Sequence, residues 1–147
     1  MKFKQPLNIL LADDDKDDRI FFEKALKEIP IATHLTTVHD GEKLMDYLEK
    51  NIEHHLPDVL FLDLAMPRKS GYECLVEIKE NEKLKGIHII VFSTSITIDR
   101  NYEQNMINTL CKFGAYDYIR KHSDFEKIKQ VLHDALIKML EIRKQEL

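Results

Sequence analysis

The chain contains no tryptophan and only two cysteines, Cys74 and Cys111, in 147 residues. Two thiols cannot build the disulfide framework on which small secreted domains depend, so a reducing cytoplasm is the expected compartment. Four glycines and four prolines exclude a flexible linker or a collagen-like segment. Long hydrophobic runs are absent too. The apolar stretch Leu7–Ala12 is interrupted by Asn8 and runs straight into a block of acids, unlike a secretory signal. Nothing approaches the roughly 18 apolar residues of a membrane span. Neither sign of charge dominates: 22 Lys and Arg stand against 26 Asp and Glu, for a net charge of −4. The lysines of the last helical segment alternate with Glu126, Asp134 and Glu141, which describes a solvated face and not a nucleic-acid stripe.

What remains is an ordinary globular balance, 44% hydrophobic and 33% charged. At roughly 100–200 residues per domain this length holds one domain, residues 1–147, with one core and no room for a separate effector module.

Short apolar runs alternate with helical patterns. The candidate strands are Leu7–Ala12, Ala32–Val38, Asp58–Leu62, Ile87–Phe92 and Tyr116–Arg120. Three of them (ILLA, VLFL and IIVF) are almost continuously apolar, as parallel strands buried on both faces require. Between them, apolar residues recur at helical spacing. Ile20, Phe21, Ala25, Leu26 and Ile29 form one face; Leu44, Met45 and Leu48 a second; Cys74, Leu75 and Ile78 a third; Met106 and Leu110 a weaker fourth. The fifth face is the longest, with Ile128, Val131, Leu132, Ala135, Leu136, Met139 and Leu140. The order βαβαβαβαβα predicts an α/β fold with a doubly wound parallel sheet of five strands flanked by five helices. Ligands of such folds sit beyond the carboxyl ends of the strands.

Reactive residues collect at those ends. The first strand runs into Asp13-Asp14-Asp15, then Asp17 and Asp18. Asp15, Asp17 and Asp18 read as an acidic helix start, where carboxylates cap free N–H groups and favour the positive end of the dipole. Asp13 and Asp14 directly follow a buried strand, and adjacent carboxylates there need solvent, a base or a cation to neutralise them. The third strand ends in Asp63, the fourth in Ser93-Thr94-Ser95, and the fifth in Arg120-Lys121. Asp63, directly after the apolar run VLFL, reads as more than surface, with a helix or loop cap as the alternative; taken singly, the hydroxyls read as caps of the next helix and Lys121 as a solvated amine. Together they place three carboxylates, a hydroxyl and an ammonium on one edge of one sheet. Three carboxylates make a hard oxygen site suited to Mg²⁺ (or Mn²⁺). A lysine and a hydroxyl opposite would stabilise the oxygens of a transferring phosphoryl group. The set reads as phosphoryl transfer onto, or through, Asp63.

With ILLADDD, PDVLFLDLAMPRKSGYE, IIVFSTS and GAYDYIRK in this order and spacing, nearly the whole chain resembles the receiver domains of two-component response regulators. The resemblance implies a flavodoxin-like strand order, 2-1-3-4-5. It implies that Asp63 is the phosphoacceptor, loaded by a sensor histidine kinase or a phosphotransfer protein. Asp14 would ligate Mg²⁺ directly and Asp13 through water, with Asp63 and the backbone carbonyl of Ala65 completing the protein ligands. Ser93 would engage the phosphoryl group, Lys121 would be the family's lysine, and Tyr118 the aromatic position whose rotamer is linked to activation. No output domain is expected after the last, extended helix, so a stand-alone receiver would signal to a downstream protein by surface recognition. A homodimer through the fourth helix, fifth strand and fifth helix stays open. The segment SGYECLVEIKENEKLKGIHIIVFSTS is also similar to single-domain regulators that pair with phytochrome-type kinases.

Three positions depart from the family pattern. His122 replaces the proline that commonly follows the lysine, and a cis bond to a non-proline residue costs about 2.5–4 kcal/mol. A trans Lys121–His122 bond with Lys121 still reaching Asp63 is therefore expected. Ala65 offers no side chain to orient a water, and Thr94 is bulkier than the small residue usual beside the hydroxyl. Both predict slow self-dephosphorylation.

The remaining histidines and cysteines stay unpromoted. His54-His55 has no further ligand spaced for a metal, His34, His39, His88 and His133 are scattered, and Cys74 lies on an apolar helix face. Residues Leu136, Met139, Leu140 and Ile142 form either an interface or a simple packing face. Two other functions compete. A Mg²⁺-dependent aspartyl-phosphate phosphohydrolase generally carries a second aspartate two residues after the nucleophile; Ala65 stands there. A degenerate receiver serving only as a binding module would have lost Asp63, the acidic pair or Lys121, and none is lost. A phosphoacceptor with no turnover on external substrates is the expectation.

Overall fold

The computed structural model describes residues 5–94 and 99–145. Among these residues five strands, β1 (Leu7–Ala12), β2 (Thr33–Val38), β3 (Val59–Leu62), β4 (His88–Ser93) and β5 (Asp117–Arg120), alternate with five helices. These are α1 (Lys16–Lys27), α2 (Gly41–Lys50), α3 (Gly71–Glu80), α4 (Arg100–Lys112) and α5 (Phe125–Gln145). Every strand pairing is parallel and the sheet order is β2-β1-β3-β4-β5.

The pleat of the strands divides the core in two, because successive side chains point to opposite faces. On one face Leu10, Ala12, Leu60, Leu62, Ile89 and Val91 meet Leu44 and Leu48 of α2, Leu75 and Ile78 of α3, and Leu110 of α4. On the other, Ile9, Leu11, Val59, Phe61, Ile90 and Phe92 meet Phe22 and Leu26 of α1 with Ile128, Leu132 and Leu136 of α5. Strands covered on both sides must be apolar at every position, which is why VLFL shows no alternation.

The helices begin where local chemistry can satisfy free N–H groups. Asp15 caps α1 by accepting from the backbone N–H of Asp18, and Asp40 caps α2 through Lys43. Ser70 and Glu73 form a reciprocal capping box on α3. Asp124 accepts from the backbone N–H of Glu126 at the start of α5.

Strand boundaries differ from the sequence expectation by one residue in four cases. Ala32, Asp58 and Tyr116 lie outside the ladder, while β4 slips forward from Ile87–Phe92 to His88–Ser93. Ile87 is held instead in the turn after α3 by its N–H bond to Leu84, and Ser93 pairs with Arg120. The packing face of α1 also differs. Ile20 is 41% exposed and Phe22 is buried in its place. At 100° per residue, Phe22, Ala25, Leu26 and Ile29 share one side of a helix, and Ile20 lies about 200° from Phe22. Helix α4 starts later than the hydroxyl run predicts, its N-cap being Asp99; Ser95 lies outside the described residues.

Candidate functional site

Backbone pairing brings the reactive residues together. The N–H of Asp63 bonds to the carbonyl of Ala12 at 3.0 Å, so Asp63 stands beside Asp13, and the N–H of Lys121 bonds to the carbonyl of Ser93 at 2.9 Å. Each residue thus leaves its strand at the carboxyl edge of the sheet. Carboxylate oxygens of Asp13, Asp14 and Asp63 all lie within 4.8 Å of one another. Asp13 is wholly buried and Asp63 is 6% exposed, while Asp14 faces solvent.

Lys121 reaches into this cluster from β5. Its Nζ stands 2.7 Å from Asp13 Oδ2, 2.9 Å from Asp18 Oδ2 and 3.4 Å from Asp63 Oδ2. The stem is guided by the Phe92 ring, 5.7 Å from Nζ to the centroid, a cation–π distance. Phe92 is itself fixed, since Phe22, Phe61 and Phe92 meet edge to face with centroids 5.1 to 6.3 Å apart. The ammonium therefore stands on a rigid aromatic floor contributed by β3, β4 and α1. Among the described residues no peptide bond is cis, so Lys121–His122 is trans and Lys121 still faces Asp63, as the replacement of proline predicts.

Ser93 is buried, and its hydroxyl donates to Asp63 Oδ1 at 3.4 Å. The same oxygen accepts from the backbone N–H of Ala65 at 3.3 Å. Asp13 Oδ1 accepts from the backbone N–H of Asp15, and the Arg19 guanidinium donates to the Asp13 carbonyl. Burial raises the Asp13 carboxyl to about 6 against the opposing pull of Lys121 and the Asp15 N–H. Burial acts to lower the Lys121 ammonium, but its bonds to Asp13 and Asp18 prevail and hold it above the ordinary lysine value. Three carboxylates contact the ammonium and a fourth, Asp14, lies beside two of them, leaving an excess of negative charge, the condition under which a hard cation is held.

Tyr118 lies further back on β5, half-buried against the α2–α3–α4 core. Its hydroxyl has no hydrogen-bond partner among the described residues. Burial, then the nearby Glu103 carboxylate, raises its pKa. Glu103 of α4 is buried and ion-paired with Arg120, so α4 is tied to the strand that carries Lys121.

Residues 9–133 match the response regulator receiver domain family. The chain belongs to that family. It is 38% identical over 93 residues to the response regulator Rcp1 of Synechocystis sp., a match covering 61% of this chain and 63% of that protein. The structure of the phosphorylated cyanobacterial phytochrome response regulator RcpA superposes with a TM-score of 0.76 at 30% identity, covering 89% of this chain and 91% of that one. The Mn²⁺-bound form of Rcp1 gives a TM-score of 0.73 at 28% identity, over 88% and 91% of the two chains. The receiver is a two-component phosphoacceptor, a signalling protein of the kind that meets histidine kinases or phosphotransfer proteins. Its acidic cluster is consistent with a divalent metal. Among the described residues no helix is long and apolar enough to cross a membrane.

All seven residues singled out from the sequence fall at or near this edge, with Asp13, Asp14, Asp63, Ser93 and Lys121 in the cluster, Ala65 on its rim and Tyr118 behind it. Asp18 was missed. It reads from sequence as one more acid at a helix start, but it approaches Lys121 more closely than Asp63 does. Its signal is one of position: Asp18 lies in the first turn of the helix that directly follows the acidic pair at the end of β1. Phe92 was missed as the support of Lys121, because an aromatic in a buried strand reads only as core.

Proposed function

We propose that Asp63 is the residue that takes the phosphoryl group, with Asp13, Asp14, Asp63 and the Ala65 carbonyl holding Mg²⁺ or Mn²⁺ beside it. One observation carries this reading: three carboxylates converge within 4.8 Å while a largely buried ammonium lies against two of them. Such an array is costly unless a cation completes it. Bound there, the divalent ion would offset the carboxylate charge and polarise the phosphoryl oxygens.

The protein's own groups supply the rest. A carboxylate oxygen of Asp63 attacks the phosphorus of a phosphohistidine. The O–P bond forms as the P–N bond breaks, and the electron pair leaves on the imidazole nitrogen, which takes a proton from solvent. Lys121 and Ser93, both already on Asp63, are placed to donate to the incoming phosphoryl oxygens. The burial of Asp63 and Ser93 limits water around the acyl phosphate. Movement of Lys121 and Ser93 toward the new anion would pass to β5 and its Tyr118, and so to the surface a downstream protein reads.

The test is incubation with acetyl phosphate and Mg²⁺ followed by intact mass. The expected result is a gain of one phosphate per chain, absent in Asp63→Asn and absent with chelator. Continuous release of phosphate with turnover would point to a hydrolase. No mass gain in the native protein would point to a binding module.

A further inference from the structure

Lys121 has three N–H donors and three carboxylate neighbours, and these neighbours are not alike. Asp13 and Asp63 belong to the triad that can close on a metal, whereas Asp18 does not. Asp18 reaches the ammonium from the first turn of α1, at 2.9 Å, with a side chain 39% exposed against 10% for Lys121. A partly solvated carboxylate thus sits on the outer side of a largely buried ammonium, and Asp63 is the most distant of the three partners, at 3.4 Å. The position of Asp18 is fixed independently. Its backbone N–H donates to Asp15 Oδ1 at 3.0 Å, and α1 is anchored beneath the site by Phe22 against Phe61 and Phe92.

We infer that Asp18 is a positioning residue of the phosphoacceptor site, acting through Lys121 and setting the balance between cation and anion binding. This rests on the reading of Asp63 given above. The electrostatic argument has a definite sign for each ligand. The Asp18 charge offsets the Lys121 charge, so a divalent cation entering beside Asp13 and Asp63 meets less repulsion. The same charge opposes the approach of a phosphodonor anion and competes with its oxygens for the Lys121 donors. Asp18 therefore strengthens metal binding and weakens phosphodonor binding, which favours metal before phosphoryl group. A charge that served only the helix end would do neither. Asp17 provides the comparison: it lies in the same acidic first turn, is exposed, and has no ion pair to Lys121.

The experiment compares Asp18→Asn and Asp17→Asn with the native protein. Mg²⁺ affinity is measured by calorimetry, and the rate of phosphorylation against acetyl phosphate concentration at saturating Mg²⁺ gives the limiting rate constant and the half-saturating concentration separately. For Asp18→Asn the expected results are Mg²⁺ binding weaker by about threefold or more and a half-saturating acetyl phosphate concentration lower by about threefold or more. Asp17→Asn should change each by less than about twofold, and Asp18→Glu should restore both. A third readout is independent of activity: the ¹⁵N-detected Lys121 ammonium protons, protected from solvent exchange in the native protein, should exchange faster in Asp18→Asn. Changes of one sign in both affinities, or equal effects of the two Asn variants, would overturn the proposal. Absence of phosphorylation in the native protein would instead defeat the Asp63 reading, and the metal affinities and exchange rates would still decide the role of Asp18.

Discussion

The Cβ that Gly71 lacks would stand 2.2 Å from the carbonyl oxygen of Asp63 and 2.7 Å from the Cα of Leu64. The Gly71 N–H also bonds to the Leu64 carbonyl at 2.9 Å. The first residue of α3 is therefore pressed onto the backbone immediately after the proposed phosphoacceptor. On the other side of the same loop, a Cβ on Gly41 would fall 2.0 Å from the Lys69 carbonyl. Between these two contacts Arg68 is held at φ 69° and its guanidinium reaches the buried Asp40 carboxylate at 3.4 Å. A non-glycine residue in this region marks a loop constrained by its surroundings.

Gly71→Ala should therefore act on stability and on chemistry together. The atoms it meets are backbone and cannot swing away, so overpacking should cost about 1–3 kcal/mol, or roughly 3–10 °C in Tm for a chain of this size. Displacement of Asp63 should also slow phosphorylation by acetyl phosphate. Gly86→Ala, whose Cβ would meet nothing within 4 Å, is the control and should change neither. Thermal melts and intact-mass time courses of both variants check this; equal behaviour would refute the contact argument.

Tyr118→Phe separates the ring of that residue from its hydroxyl. The ring packs against the core, while the hydroxyl is buried without a partner among the described residues. Removing an unpaired buried polar atom gives back its desolvation cost. The expected outcome is unchanged stability or a gain of up to about 1 kcal/mol, against a loss of about 2–4 kcal/mol for Tyr118→Ala. Urea unfolding of both variants measures this. A clear loss for Tyr118→Phe would mean that the hydroxyl contributes a bond in the folded state.

The fold was legible because its three central strands are buried on both faces: VLFL, and LNILLA apart from Asn8, show no polar side to confuse with a helix. The convergence of the candidate residues was legible because parallel topology fixes where strand ends go, so Asp13, Asp63, Ser93 and Lys121 had to share an edge once their strands were identified. What sequence did not reveal depends on rotation and reach. The register of α1 is set by its N-cap at Asp15, and that phase turned Ile20 outward and Phe22 inward. Asp18 was hidden for the same reason. An acid in a first helical turn has a sufficient local explanation, and only the path of Lys121 across Phe92 shows where its carboxylate is used. The close approach at Gly71 was equally invisible, since nothing local distinguishes a glycine required by a neighbour from one required by a turn.

The two thiols should differ sharply in reactivity. Cys111 is exposed and Cys74 is fully buried on α3, its Sγ near the Gly41 carbonyl at 3.6 Å. Burial, only partly opposed by Lys69, pushes the Cys74 thiol up to about 11 from an ordinary 9.0. Iodoacetamide at pH 8 should modify Cys111 alone, with Cys74 reacting only after denaturation, because the thiolate is the nucleophile. The linked effect on stability has a fixed sign. The folded state holds the proton more tightly than the unfolded state, so this contribution is complete below about pH 9 and is lost as pH rises towards 11. Unfolding free energy should fall more steeply over that interval in the native protein than in Cys74→Ala. Equal slopes, or labelling of Cys74 in the folded chain, would contradict its assignment as packing.

With Asp63 as the proposed phosphoacceptor, the lifetime of the phosphorylated form follows from what borders that residue. Hydrolysis of an acyl phosphate needs a water held in line with the bond that breaks, and positioning of that kind supplies much of the rate. Ala65 is exposed two residues after Asp63 and presents only a methyl group where an amide or carboxylate could hold such a water. Thr94 follows Ser93 at the surface and adds branched bulk to the same approach. Self-dephosphorylation in Mg²⁺ should accordingly take minutes or longer. Ala65→Gln places an amide at the approach and should shorten the lifetime by about tenfold, while Thr94→Ala should shorten it by a smaller factor through easier access. Decay of the phosphorylated mass after removal of acetyl phosphate measures all three proteins. Native decay within seconds, or an Ala65→Gln variant that decays no faster, would show that water reaches the phosphoryl group by a route these two side chains do not govern.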